Sequence, residues 1–166
     1  AASDVYKRQN IYNYKVFKEL YENNVSTLSI LFKGASSLSN DDIKLSERLY
    51  IPGKRLRGFE TGKIGPKDGN DFIGGNYVSS INATTTIPTL LENVQSVDVV
   101  LFADAANIWG VDYDSSLDNN GIRSSVGIGI DWLTPVGPLT FSFAHPVTKE
   151  PTDIEQTFRF NIGTSF

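Results

Sequence analysis

The run FRFNIGTSF places Phe158, Phe160, Ile162, Thr164 and Phe166 on one side of an extended chain and Arg159, Asn161, Gly163 and Ser165 on the other. Successive side chains of a strand point to opposite faces, so such a run fits only where one face meets an apolar medium and the other a polar one. The pattern recurs along the chain. In SVGIGIDW, Val126, Ile128, Ile130 and Trp132 oppose Gly127, Gly129 and Asp131; in LTFSFAH, Leu139, Phe141, Phe143 and His145 oppose Thr140, Ser142 and Ala144. NYVSSINATTTIP sets Tyr77, Ile81, Ala83 and Ile87 against Asn76, Ser80, Asn82, Thr84 and Thr86. TLSILF aligns Leu28, Ile30 and Phe32, and IYNYKVFKEL aligns Tyr12, Tyr14 and Val16. VDVVLFADA is less regular, because Val100 and Phe102 share the side of Asp98 and Asp104.

Seven strands are therefore predicted, over residues 10–20, 24–35, 75–88, 97–109, 123–134, 138–147 and 154–166. Their connections alternate in length. YENN, TLLENVQS and PVG are short, the 36–74 region and GVDYDSSLDNNGI are long, and TKEPTD is intermediate. Tight turns at one end and long loops at the other are the pattern of an up-and-down transmembrane β-barrel, and they place the C-terminus at the short-turn, periplasmic end. Trp109, Trp132 and Phe166 fall near strand ends, where interfacial aromatic girdles form. A soluble β-sandwich shares the alternation and stands as the alternative.

Composition narrows the chemistry. The chain has no Cys, which excludes disulfides, thiol nucleophiles and Cys-ligated zinc. A net charge of -4 offers no global field for nucleic acid, and the Lys54, Arg55 and Arg57 cluster in KRLRGFE is the only local basic patch to weigh. No stretch of 18 apolar residues exists, which removes a transmembrane helix and leaves a membrane barrel untouched. The absence of Met implies a fragment or a processed chain. DVYKRQ, at Asp4–Gln9, is what the adapter codons GAT GTG TAT AAG AGA CAG encode, so residues 1–9 are set aside as an adapter-derived artefact.

The candidate sites give no enzyme and no cofactor. His145 is the sole His and shares its strand with no carboxylate, so a structural His is expected. Asp112, Asp114 and Asp118 resemble a calcium loop, but Leu117 stands where its Gly is required and Arg123 where its Glu is required. A solvated loop is expected there. VGIGI opens no helix and is no dinucleotide fingerprint; small glycines facing the interior of a curved strand account for it. In KRLRGFE, Gly58 implies a sharply bent backbone, and Arg57 beside an aromatic suits a packed, bidentate role. Asp104 is the expected partner, because it lies on the polar face that lines a barrel lumen and an inward-folding loop would bring Arg57 to it. Lys54 and Arg55 are expected to be loop charges.

RLRGFETGKIGP, GGNYVSSINATTTIPT, FADAANIW, GIRSSVGIGIDWLTPVGPLTFSFAHP and FRFNIGTSF together resemble the C-terminal part of the barrel in the BamA family of bacterial outer-membrane protein assembly factors. The resemblance is close over residues 44–166, while residues 10–43 fit as two preceding strands. It implies an all-β, antiparallel up-and-down barrel of which this chain carries an incomplete C-terminal portion, with POTRA domains and N-terminal strands missing upstream. It also implies a non-enzymatic activity without cofactor or metal, inserting nascent outer-membrane proteins in the bacterial outer membrane through a lateral seam. The lipid bilayer, nascent outer-membrane proteins and assembly lipoproteins would be partners, and nucleic acid would not. The conserved motif of the family's inward-folding loop maps on Leu56, Arg57, Gly58 and Phe59, and its strand aspartate on Asp104. A second acidic partner of relatives aligns with Thr84, which brings no charge, so the clamp would rest on Asp104 alone. Phe158, Phe160, Ile162, Gly163 and Phe166 map on the β-signal and seam strand, Gly163 weakening it. A two-partner secretion pore or a TamA-like protein of the same superfamily remains an alternative.

Overall fold

In a computed structural model, which describes residues 7–38, 41–88, 96–118, 120–135 and 137–163, the alternating segments are strands. In chain order they are β1 (Lys7–Lys18), β2 (Ser26–Ser37), three two-residue strands β3 (Gly58–Phe59), β4 (Lys67–Asp68) and β5 (Asp71–Phe72), then β6 (Tyr77–Thr86), β7 (Val97–Trp109), β8 (Arg123–Thr134), β9 (Gly137–Thr148), β10 (Glu155–Gln156) and β11 (Phe158–Ile162). The seven longer strands form one antiparallel sheet in the order β1-β2-β6-β7-β8-β9-β11, each beside its sequence neighbour. This is the expected meander of seven strands, in one sheet rather than the two of a sandwich. No helix among the described residues is long and apolar enough to cross a membrane, which says nothing of a β-barrel.

The boundaries differ by more than two positions in two places. β1 begins at Lys7, three positions before the expected start, because its ladder with β2 continues to the Lys7–Ser37 pair. The terminal segment is not one strand over 154–166. Glu155 and Gln156 leave the main sheet to pair with Phe59 and Gly58, and only Phe158–Ile162 joins β9. At Gly163 φ is 96°, outside strand geometry, and Phe166 lies beyond the described residues.

The two faces of the sheet meet different surroundings. Leu28, Ile30, Phe32, Ile81, Leu101, Val126, Ile128, Trp132, Phe143, Phe158, Phe160 and Ile162 are exposed on the outer face. An uncovered apolar belt on every strand would be disfavoured in water and suits hydrocarbon. Towards the long-loop end Tyr12, Phe32, Tyr77 and Trp109 form a row of rings with neighbouring centroids 5.8–6.5 Å apart, and Trp132 lies near the opposite end of its strand.

The inner face is covered by the long connection between β2 and β6. Ile43, Leu49, Ile51, Leu56, Phe59 and Ile64 of that connection pack with Ala35, Val78, Ala106 and Ile108 of the sheet, and all are buried. The hydrophobic core therefore lies between a loop and one face of a sheet. No strand pairs with the outer edge of β1 or of β11 among the described residues. Open edges inside a bilayer leave backbone N–H and C=O groups unsatisfied, each costing several kcal/mol. The chain refolded alone into detergent is accordingly expected to aggregate. A heat-modifiable, protease-resistant monomer seen by cold and boiled electrophoresis would contradict the open-sheet description.

Candidate functional site

Four neighbouring strands put a small polar side chain at one level of the inner face. Ser29 of β2 faces Asn82 of β6, Asn82 faces Asp104 of β7, and Asp104 faces Ser125 of β8, each pair directly opposed across the ladder. All four are buried. Their neighbours in sequence on the outer face are apolar except Ser124, so the alternation that makes the belt also makes this row.

Two arginines of the long loop, two positions apart, descend on the row. Arg57 Nε donates to Asp104 Oδ2 at 2.7 Å and Nη2 to Oδ1 at 2.7 Å, while its backbone N–H donates to Oδ2 at 3.1 Å. Asn82 Nδ2 adds a fourth donor to Oδ1 at 2.9 Å. A carboxylate has about four lone-pair sites, so this fully buried one is saturated. Ser125 Oγ donates to the carbonyl of Arg57, which secures the loop backbone on the other side. The guanidinium carbon also lies 3.5 Å from the centre of the Phe102 ring. Phe102 shares the side of Asp104 because it is a platform for the cation. Gly127 stands directly opposite, and a Cβ there would come within 2.5 Å of Phe102 Cζ and 2.1 Å of the Phe143 carbonyl oxygen. The glycine of VGIGI makes room for that ring.

Arg55 is not a loop charge. Its Nη1 donates to Ser29 Oγ and, at 3.3 Å, to Asn82 Oδ1, and its Nη2 donates to Asn13 Oδ1 at 3.0 Å. Asn82 returns a bond to the Arg55 carbonyl at 2.7 Å. Thr84 lines the space beside the two arginines and carries no charge, so Asn82 is the second residue on the Asp104 carboxylate. KRLR spaces the cations at i and i+2, and this interval was the available signal for both. Asn82 and Ser125 gave none, since their alignment with Asp104 depends on register between strands distant in sequence.

Past Arg57 the chain turns at Gly58 with φ 90°, a region costly for any residue with a side chain. A Cβ there would also meet Ala144 Cβ and Ser125 Cβ at 3.2 Å. Leu56 and Phe59, on either side of the turn, are buried, and Gly58 and Phe59 form β3 against β10. Of the residues expected at the seam, Phe158 and Phe160 pack in tilted pairs against Phe143 and Phe141 with ring centroids 4.9 Å apart, and Ile162 is exposed on the same face.

Two further ion pairs fasten the loops. Arg123 and Asp153, both with fully buried side chains, join by Nε to Oδ2 at 2.9 Å and Nη2 to Oδ1 at 3.2 Å. Arg48 donates to Asp112, which also accepts from Ile43 N–H at 2.8 Å and Asn76 Nδ2 at 3.0 Å. Asp112 is therefore a loop anchor and not a freely solvated charge. Desolvation pushes its carboxyl up, but those hydrogen bonds and the Arg48 charge outweigh it and hold the pKa below its ordinary value. No cluster of metal ligands occurs among the described residues, and His145 is exposed on the outer face.

The matching family model, over residues 3–166, is that of the Omp85 superfamily domain. Outer membrane protein assembly factor BamA of Neisseria meningitidis serogroup B is 32% identical over 154 aligned residues, which cover 75% of this chain and 19% of that protein. A SAM50-like protein of Schizosaccharomyces pombe is 27% identical over 150 residues, covering 84% of the chain and 31% of the relative. The crystal structure of Haemophilus ducreyi BamA lacking POTRA domains 1–3 superposes with a TM-score of 0.82 at 26% identity, covering 93% of this chain and 34% of that one. The chain spans about a fifth of the length of the BamA relatives it matches.

Replacing Arg57 with Ala leaves the Asp104 carboxylate buried without its cation, and an unfolding free energy lower by about 3–5 kcal/mol is expected in the full-length protein by denaturant titration. Gly58→Ala forces a Cβ into positive φ against two neighbours and is expected to cost about 1–3 kcal/mol in the same measurement. For Asp112 the folded pKa lies below the unfolded one, so its contribution is complete above the unfolded value of about 3.9 and is lost as pH falls through the folded pKa. Hydrogen exchange of the 41–50 segment should therefore rise selectively below about pH 4, and Asp112→Asn should flatten that pH dependence.

Proposed function

The chain belongs to the Omp85 superfamily, and from that membership and the loop clamped inside its sheet we propose that it is the C-terminal part of an outer-membrane β-barrel that inserts and folds nascent outer-membrane proteins. The observation that carries this reading is the lumenal clamp itself: Leu56, Arg57, Gly58 and Phe59 held on Asp104, Asn82 and Ser125 against the inner face of the sheet. A rigid interior suits a wall that stays upright while a nascent strand pairs at its border.

In this reading the apolar belt faces the acyl chains of the bacterial outer membrane. The short turns and the C-terminus lie on the periplasmic side, and the loops joined by Arg48–Asp112 and Arg123–Asp153 lie outside. Upstream POTRA domains and earlier strands complete the barrel, residues 1–9 being adapter-derived. β11, with Phe158, Phe160, Ile162, Gly163 and Phe166, borders a lateral seam at which a nascent strand adds by main-chain hydrogen bonds. Assembly lipoproteins act as further partners. No cofactor or nucleotide enters the mechanism, and the driving force is burial of the incoming apolar face in lipid together with satisfaction of its backbone groups.

The test uses the full-length protein reconstituted into liposomes and presented with a urea-unfolded β-barrel protein. Folding of that substrate is expected to accelerate at least about tenfold over empty liposomes, read by heat-modifiability on electrophoresis, and Arg57→Ala is expected to remove most of the gain. Passage of a soluble polypeptide into the liposome lumen without substrate insertion would instead identify a translocation pore of the two-partner secretion or TamA-like kind.

A further inference from the structure

The polar face of the terminal strand carries an arginine whose partners all lie off the sheet ladder. Arg159 of β11 donates through Nη1 to the carbonyl of Gly53 and through Nη2 to the carbonyl of Phe59 at 2.5 Å, and Nη2 and Nε reach Gln156 Oε1 at 3.0 and 3.3 Å. Gly53 and Phe59 flank the Leu56–Gly58 segment clamped on Asp104, so one guanidinium holds both shoulders of the lumenal loop. None of these partners is a carboxylate. A planar fork satisfied by backbone carbonyls recognises the position of a chain rather than its charge.

The strand that bears Arg159 is weakly held otherwise. Among the described residues β11 has five positions against the twelve of β9 and pairs with β9 alone, and its backbone turns to positive φ at Gly163. The loop beneath it is strongly held by the saturated Asp104 carboxylate. β10 hands the same loop to the same strand, since Gln156 pairs with Gly58 just two residues before β11 begins.

We propose that Arg159 is a latch between the seam strand and the lumenal loop: β11 cannot leave the inner face without releasing the Gly53 and Phe59 carbonyls, so opening of the strand is coupled to the state of the loop. Arg159 is a positioning residue that acts through the loop backbone, and its assignment to a seam rests on the function proposed above. The latch sets how often the strand edge detaches, while the Asp104 clamp sets whether there is a fixed body to detach from. Edge strands fray most readily among paired elements, and a tie of this kind raises the free energy of that local opening without altering the rest of the sheet.

The test is amide hydrogen exchange of the full-length protein in bilayers. In Arg159→Gln, exchange of residues 158–162 and 53–60 is expected to rise at least about tenfold while residues 97–109 and 123–134 of β7 and β8 stay unchanged. Gly53→Ala approaches the same contact from the loop side, because a Cβ there would fall 2.6 Å from Arg159 Nη1 and 2.4 Å from Thr61 Oγ1, and it should reproduce the local rise. Unchanged exchange at 158–162 in both variants, or an equal rise across β7 and β8, would overturn the latch. Insertion of an unfolded β-barrel substrate by the unmodified protein is measured alongside. Its absence with the local rise present counts against the proposed function and supports the latch, whereas insertion without any local rise counts against the latch alone.

Discussion

Everything on the inner face depends on one desolvated carboxylate. Removing Asp104 from water is unfavourable by several kcal/mol unless its oxygens are filled, and they are filled by three donors of Arg57 and one of Asn82. That requirement draws the loop inward. Once Arg57 is seated, Leu56 and Phe59 lie where they can be buried, the core forms between the loop and Val78, Ala106 and Ile108, and the interior of the sheet is occupied by protein. The outer face needs no such filling because its apolar side chains suit lipid. The two halves of the stabilising arrangement are thus of different kinds, polar anchoring within and hydrophobic contact with the surroundings without.

The same anchoring explains residues that look anomalous one at a time. Phe102 interrupts the polar side of its strand because a cation needs a ring beneath it, and Gly127 is small because that ring needs space. Gly58 lacks a side chain because the turn that follows Arg57 passes against Ala144 and Ser125. Arg55, two residues earlier, repeats the docking on Ser29, Asn82 and Asn13. These residues run from Asn13 to Ala144 in the chain and share one contact network.

Much of the fold was legible in the sequence, since a period of two is the direct signature of a strand with unlike faces, and the seven segments appear as seven strands in sequence order. Loop lengths exposed the meander because antiparallel neighbours need only short turns. The terminal segment is not one strand over 154–166: the clean alternation starts only at Phe158, Gln156 breaks it on the apolar side, and tertiary pairing diverts Glu155 and Gln156 to β3. At the site, Arg57 and Asp104 stood out by charge and by side of the strand. Asn82 and Ser125 did not, because a neutral polar residue on an inward face looks the same whether it touches water or a loop, and Arg159 and the Arg123–Asp153 pair join strands to loops with no local spacing to betray them. Arg55 was missed for the opposite reason, being one cation in a run that resembles ordinary loop charge.

The row Ser29, Asn82, Asp104 and Ser125 has a consequence for how such a wall is assembled. Its members belong to four strands and lie at one level only when every intervening ladder has its proper register. A slip of one residue turns a member to the outer face, and a slip of two displaces it by about 7 Å, out of reach of either arginine. The loop therefore acts as a template gauge, seating fully only on correctly staggered strands. Docking of the loop and correct alignment of the wall are one cooperative event, and a misaligned sheet is left with a hollow interior and a buried, unanswered charge.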